Sequence, residues 1–511
     1  MGEITLALVV IVISLVLYRF IWLVRRVKYW KSKNVGYSKA ENFSGGLLSL
    51  IQKTPLYDRW YILYSDYPGH KFVAVDNNDK PLLLARDAEF VQKIMIKDFQ
   101  YFVDHDKPNA DEGSLFSLGL FGLTGNEWRG FRAKISPTFT SGKLKSMFDQ
   151  LEACSDAMLK SVEKSYEMPD YDVRDDVMSY AMDVTASAIF GIEFRDEELR
   201  AKYKKTSSDL FKASTLRMLC FAIHAQFPRL AKFLGLKTFD QEKDDFFKNI
   251  IKQTFDQRKA NNVNRNDYVQ LLLNLKEFGK LEVKVRDPDD DYLKIDDLHV
   301  ENVEVTDEIL AAQAFQFLTG GFEPIYNAML LFLIEVAQYE DIQNKLRKEI
   351  QEVKTKHDGY NYKSVREMVY LEQCIHETLR KYPIIPFLMR YCVKDYMVNS
   401  DFTIEKGTLV VVSTRGIQND PAYFPNPEKF DPERFSANGP IKNIAYLPFG
   451  AGPRVCIGMR FAIMEMKLGL AKIIENFSIK LGDKAKFPVE FNKRSFFLSA
   501  PHGYLKMTKI K

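Results

Sequence analysis

The chain has 511 residues, 46% hydrophobic and 13% aromatic, enough to bury a large core and, on length alone, to hold more than one domain. Its 72 basic and 68 acidic side chains leave a formal charge of only +4, which argues against nucleic acid as the main partner. Five cysteines (Cys154, Cys220, Cys374, Cys392, Cys456) are odd in number and lack C-x-x-C spacing, against a disulfide framework or zinc site and in favour of a reducing compartment.

Ile4 to Tyr18 is apolar apart from Thr5 and Ser14, and Phe20 to Val24 continue it after Arg19. The run is about twenty residues, enough to span a bilayer. Arg25, Arg26, Lys28, Lys31 and Lys33 follow, while Glu3 precedes it, which orients the bulk of the chain toward the cytosol. Without a basic leader or small-residue cleavage site, the expectation is a retained membrane anchor over 1–33. The polar, glycine-containing stretch 34–56 reads as a linker. Residues 57–511 show no internal repeat and read as one domain.

Within that domain helical periodicity dominates. Short strand-like pieces at Lys71–Val75, Pro81–Ala85, Thr408–Ser413 and Ser495–Ala500 complete a mainly α fold with small peripheral β-sheets. Trp128 and Arg132, four apart, share one helix face, so an N–H donor and a cation converge. The aspartate-rich run Arg286–Asp297 reads as a solvated loop. Ala311 to Phe322 begins a long apolar helix that Pro324 should kink, because proline lacks an N–H and clashes with the carbonyl of Gly320. Further on, Glu377 and Arg380 are three apart and can pair on a helix whose apolar side is Leu371, Cys374, Ile375 and Thr378. The prolines in Tyr382 to Arg390 favour extended chain.

The most informative stretch is Phe449-Gly-Ala-Gly-Pro-Arg-Val-Cys-Ile-Gly458. It sets Cys456 in a glycine-rich loop entering a helix with an apolar stripe of Phe461, Met464, Leu468 and Ala471. Gly450 and Gly452 permit positive φ, and Gly458 lacks the Cβ that would hold a flat macrocycle away. A helix N-terminus and Arg454 both favour a thiolate.

This stretch resembles the cysteine-ligand loop of cytochromes P450, with its phenylalanine, glycines, arginine and cysteine in register. The resemblance runs from about Tyr57 to the C-terminus. It implies the P450 fold with an N-terminal transmembrane anchor, haem b as cofactor and Cys456 as its axial ligand. It further implies that Trp128, Arg132, Arg390, Phe449, Arg454 and Gly458 seat the haem. Glu377, Arg380 and Arg434, the last in Asp431-Pro-Glu-Arg-Phe435, would form a buried structural network. Gly320, Gly321 and Glu323 fall on the oxygen side, where Pro324 replaces the threonine that usually assists proton delivery.

Lys134 to Leu144 and Ala311 to Phe315 resemble the insect microsomal group, which handles toxins and endogenous small molecules. In that group Phe116, Ile385 and Phe496 line an apolar substrate pocket, although each also suits a core position. No flavin or nicotinamide fingerprint is present, so an NADPH-cytochrome P450 reductase, with cytochrome b5 as a second donor, is the implied partner. The expected setting is the endoplasmic reticulum membrane with the catalytic domain in the cytosol. The leading reading is a monooxygenase of small lipophilic substrates. Pro324 keeps open a P450-like isomerase or dehydratase of oxygenated lipids, and a haem protein that only binds hydrophobic ligands is the third reading.

Overall fold

The computed structural model describes residues 27–38, 55–75, 82–105, 114–192, 197–210, 241–261, 267–285, 299–436 and 444–510 apart from 494, with short pieces between 13 and 25 and between 220 and 236. Its strands in chain order are β1 (Gly36–Ser38), β2 (Phe72–Val75), β3 (Leu82–Ala85), β4 (Lys280–Val285), β5 (His299–Glu304), β6 (Leu388–Tyr391), β7 (Tyr396–Asn399), β8 (Phe402–Ile404), β9 (Leu409–Val412), β10 (Phe477–Leu481) and β11 (Leu505–Lys509). Five form one mixed sheet in the order β1-β2-β3-β9-β6, and the others pair as β4-β5, β7-β8 and β10-β11. The apolar runs Phe72–Val75, Leu82–Ala85 and Leu409–Val412 are mostly buried, as strands covered on both faces require.

The helices that matter for the site are α1 (Gly125–Ile135), α2 (Phe148–Ser165), α3 (Arg174–Val184), α4 (Asp307–Gly320), α5 (Glu323–Val336), α6 (Val369–Lys381) and α7 (Met459–Asn476). α5 and α7 lie at the centre of the helical core. In α7 every residue from Met464 to Ile474 is buried, so the expected one-sided stripe belongs to a helix enclosed all round. Its buried Lys467 is admissible because Glu372 accepts from it at 2.8 Å, and Lys472 pairs with Asp156. The run 307–336 is long and apolar enough to cross a membrane, but most of it is buried inside the protein.

Pro324 does more than kink that run. α4 ends at Gly320, Gly321 and Phe322 form the turn, and Pro324 sits in the first turn of α5. A missing N–H costs nothing in a first turn, so the proline starts a helix there.

Two expectations need correction. Gly36–Ser38, inside the expected linker, is an edge strand pairing parallel with Phe72–Val75. Buried Trp30, Val35 and Ser38 dock this segment on the sheet, and its polar composition conceals them. Ser495–Ala500 joins no strand ladder among the described residues: Ser495 donates to Asn492 O at 3.1 Å, Asn492 to Ser499 O at 2.8 Å, and Leu498 makes a single bond to Ile384 O at 2.9 Å. The rest of the linker, 39–54, most of the anchor and all of Arg286–Asp297 lie outside the described residues.

Candidate active site

The cysteine loop is a closed turn. Gly450 and Gly452 have φ of 72° and 69°, and the Cys456 N–H returns to Phe449 O at 2.9 Å. Gly452 is doubly required, since a Cβ there would lie 1.8 Å from Met95 O. Gly450, Gly458 and, across the site, Gly320 differ: a Cβ on any of them meets no heavy atom within 4 Å. Cys456 is exposed by area, yet burial among protein atoms raises its thiol pKa, so Sγ faces an interior space.

In the protein alone that rise favours the thiol, and ligation to a metal would displace its proton. Desolvation outweighs the Gly458 and Met459 N–H groups and the nearby Arg132. The cation acting on the thiol is Arg132, not Arg454. Arg132 lies on α1 and donates from Nη2 to Val455 O at 2.8 Å, which pins the loop one residue before the cysteine.

Arg454 turns the other way. It is buried, lies 4.1 Å over the Trp128 ring, and donates to Val103 O, Leu120 O, Leu123 O and Asp104 Oδ1 at 2.9, 3.2, 2.8 and 3.4 Å. These bonds occupy four of its five N–H groups. Asp104 also accepts from the Gly125 N–H at the start of α1, at 2.9 Å. Arg454 thus fastens α1 and the chain around 103–123 to the cysteine loop.

Arg390, on β6, is 2% exposed. Its Nη1 donates to Met389 O at 2.8 Å, while Nε has no hydrogen-bond partner. The positive charges of Arg390 and Arg132 both act on Arg454, and the nearby carboxylate is that of Asp104. Interior cations in such excess are costly unless an anion joins them. Together with a cysteine facing interior space and open glycines on both sides, this set fits a flat macrocycle carrying two carboxylates.

Behind the loop, Glu377 and Arg380 on α6 are both fully buried and bonded twice, Nε to Oε2 at 2.8 Å and Nη2 to Oε1 at 3.0 Å. Asp431 N–H donates to the same carboxylate at 3.0 Å. Arg434 Nε stands 3.4 Å from Glu377 Oε1, a charge contact without hydrogen-bond geometry. The connection to the loop runs through Gln418, which sequence reasoning missed. Its Nε2 donates to Leu379 O and Arg380 O at 2.9 and 3.0 Å, and its Oε1 accepts from Leu447 N–H at 2.8 Å.

On the opposite side Gly320 is open, but Gly321 is not. A Cβ on Gly321 would meet Thr185 Oγ1 and Phe317 O at 3.0 Å, because one residue further round the helix faces a packed neighbour. Glu323 is buried at the start of α5, where its charge helps raise the Tyr326 pKa to about 12, after burial itself. The Thr319 hydroxyl is occupied by Phe315 O and Gln316 O at 3.0 and 3.2 Å. Phe116, Ile385 and Phe496 are each half-buried. Leu498 N–H to Ile384 O, 2.9 Å, sets the segments of the latter two side by side, and Phe116 is on the short helix Leu115–Leu118 packed on α4. His105 and Asp104 were also missed; a lone polar pair in a loop carries no motif.

Residues 45–507 match the family model for cytochrome P450. The chain belongs to the cytochrome P450 family, whose resident cofactor is haem, and is a monooxygenase. It is 34% identical to cytochrome P450 6B1 of Papilio polyxenes, over 99% of both chains. It is also 34% identical to probable cytochrome P450 6a14 of Drosophila melanogaster, over 99% of both, and 33% identical to cytochrome P450 6k1 of Blattella germanica, over 98% of this chain and 96% of that protein.

Proposed function

We propose that this P450 inserts one oxygen atom from O2 into small lipophilic molecules, using electrons relayed from NADPH by a partner reductase. The observation that supports it most is the Cys456 thiol facing interior space between open glycines and a cluster of three arginines. When bound, haem supplies the iron at which dioxygen is activated, and a thiolate ligand favours O–O cleavage.

Cys456 is assigned as that ligand, with Arg132 fixing the backbone beside it. Arg390 and Arg132 hold the haem carboxylates, Trp128 and Arg454 brace them, and Gly458 and Phe449 let the loop approach the ring. Glu377, Arg380 and Arg434 keep the loop's scaffold rigid. Glu323, acting through water, is assigned to proton delivery where Pro324 removes the usual hydroxyl. Half-buried Phe116, Ile385 and Phe496 are the apolar side chains offered to substrate.

Electrons enter at the cysteine side. Lys134 and Lys145 are exposed there and Arg129 and Lys143 half-buried, a basic face for an acidic reductase domain or cytochrome b5. The chain is assigned to the endoplasmic reticulum membrane, with its catalytic domain in the cytosol. Helical Ile13, Leu17, Tyr18, Phe20 and Ile21 are all at least half exposed, as lipid-facing side chains would be, whereas Trp30 is buried near Phe402.

The test is reconstitution with an NADPH-dependent reductase and a panel of lipophiles. Substrate-dependent NADPH use with an oxygenated product is the expected result. Pro324 supports a second reading, isomerisation or dehydration of lipid hydroperoxides. Rapid turnover of a hydroperoxide without NADPH, and none with it, would establish that reading instead.

A further inference from the structure

His105 takes no part in the site as assigned so far, yet it stands among its cations. Its ring stacks on Phe121 with centroids 4.2 Å apart and planes 23° from parallel. Nδ1 lies 3.0 Å from Phe121 O, and a carbonyl only accepts, so Nδ1 must carry the proton. The remaining nitrogen, Nε2, makes no hydrogen bond among the described residues and is not a sealed orphan atom.

The groups around it decide its charge. Arg390 from β6 and Arg454 from the cysteine loop both oppose protonation, and burial opposes it more strongly than either. Arg132 from α1 adds a third cation to the cluster through Arg454, and the Asp104 carboxylate is occupied by the Gly125 N–H and Arg454. His105 is therefore neutral in the protein alone, with a bare lone pair on Nε2.

A lone pair repels a carboxylate, whereas an N–H attracts it. We propose that His105 binds a proton when a dianionic tetrapyrrole enters the arginine cluster, and that its Nε2–H then holds a haem carboxylate, so that cofactor retention is linked to pH. This rests on the haem reading above. Two carboxylates cancel the excess of the three arginines over Asp104, which removes the cations' opposition, and a carboxylate placed at Nε2 then itself favours the proton.

The sign follows from linkage. The complex holds one proton more at this ring than the free protein, so retention is strongest at low pH and weakens by up to about tenfold per pH unit as His105 deprotonates. The experiment follows transfer of haem b from the purified holoenzyme to excess apomyoglobin between about pH 6 and 9. Wild type is compared with His105→Arg, which keeps a permanent charge, and His105→Phe, which keeps the stack without charge.

Ionisation of Cys456 affects all three proteins, so the ratio of wild type to His105→Arg isolates the ring. The expected result is wild type matching His105→Arg near pH 6, losing haem about ten times faster than it near pH 9, and approaching His105→Phe there. A ratio that does not change with pH, or a His105→Phe protein as retentive as wild type at pH 6, overturns the inference while leaving the haem site standing. A purified protein that carries no haem overturns both.

Discussion

A single buried charge carries most weight at the residue scale. Arg380 has both nitrogens of its fork on Glu377, and its other donors reach Gln418 O and Pro427 O at 3.1 and 2.6 Å. Removing it strands a carboxylate whose burial already pushes its pKa up. Arg380→Ala should cost about 3–5 kcal/mol and abolish haem incorporation, measured as thermal midpoint and haem content. A haem content equal to wild type would show that the pair is dispensable. Gln418→Ala should show the same defect more weakly, because it removes the bridge to Leu447 without exposing a charge. Gly452→Ala fails for a different reason: it forces a Cβ onto Met95 O in a backbone that disfavours one, and it should express without haem.

At the scale of elements, the break between α4 and α5 is the feature that departs from a plain P450 reading. Pro324 makes Gly320 the last residue of one helix and Glu323 the first of the next. General acid–base assistance is worth ~10² to 10⁴-fold, so coupling of NADPH use to product should be poorer than binding would suggest. Pro324→Thr should raise product formed per NADPH and lower hydrogen peroxide release, read in one reconstituted assay. An unchanged ratio would mean that proton delivery does not pass through this position.

The same scale shows what the sequence made legible. The cysteine loop could be read because turn chemistry, thiol and helix start lie within ten consecutive residues. The Glu377–Arg380 pair could be read because helical spacing brings the two together. The cation cluster could not, since Arg454 meets Asp104 across 350 positions and nothing local marks either for the other. Arg454 itself was seen, but its direction depends on carbonyls at Val103, Leu120 and Leu123 that only the fold assembles. Gly36–Ser38 was hidden because an edge strand of three residues leaves no periodicity.

For the whole molecule, two cores share the work. Helices α2 to α7 pack into the larger, and the five-stranded sheet with Trp30, Trp60 and Phe387 forms the smaller. The site lies where they meet, with Arg390 supplied by the sheet and Arg132 and Cys456 by the helical side. Attachment to a membrane belongs to this scale too. Removing residues 1–26 stops short of Trp30 and should leave haem content unchanged while lowering the membrane-bound fraction in flotation. Full retention of the truncated chain on membranes would place the anchoring surface elsewhere. At the basic face, reversing Lys143 and Lys145 to Glu together should slow reduction by the reductase at low salt and matter little at high salt.

The central claim is that Cys456 gives its sulfur to a haem iron. Carbon monoxide difference spectroscopy of the reduced protein tests it most directly, with Cys456→Ser as the comparison. A band at about 450 nm in the wild type, absent from the variant, is the predicted result. A wild-type band at about 420 nm, or one that survives the substitution, would contradict thiolate ligation by Cys456 and with it the account of the site.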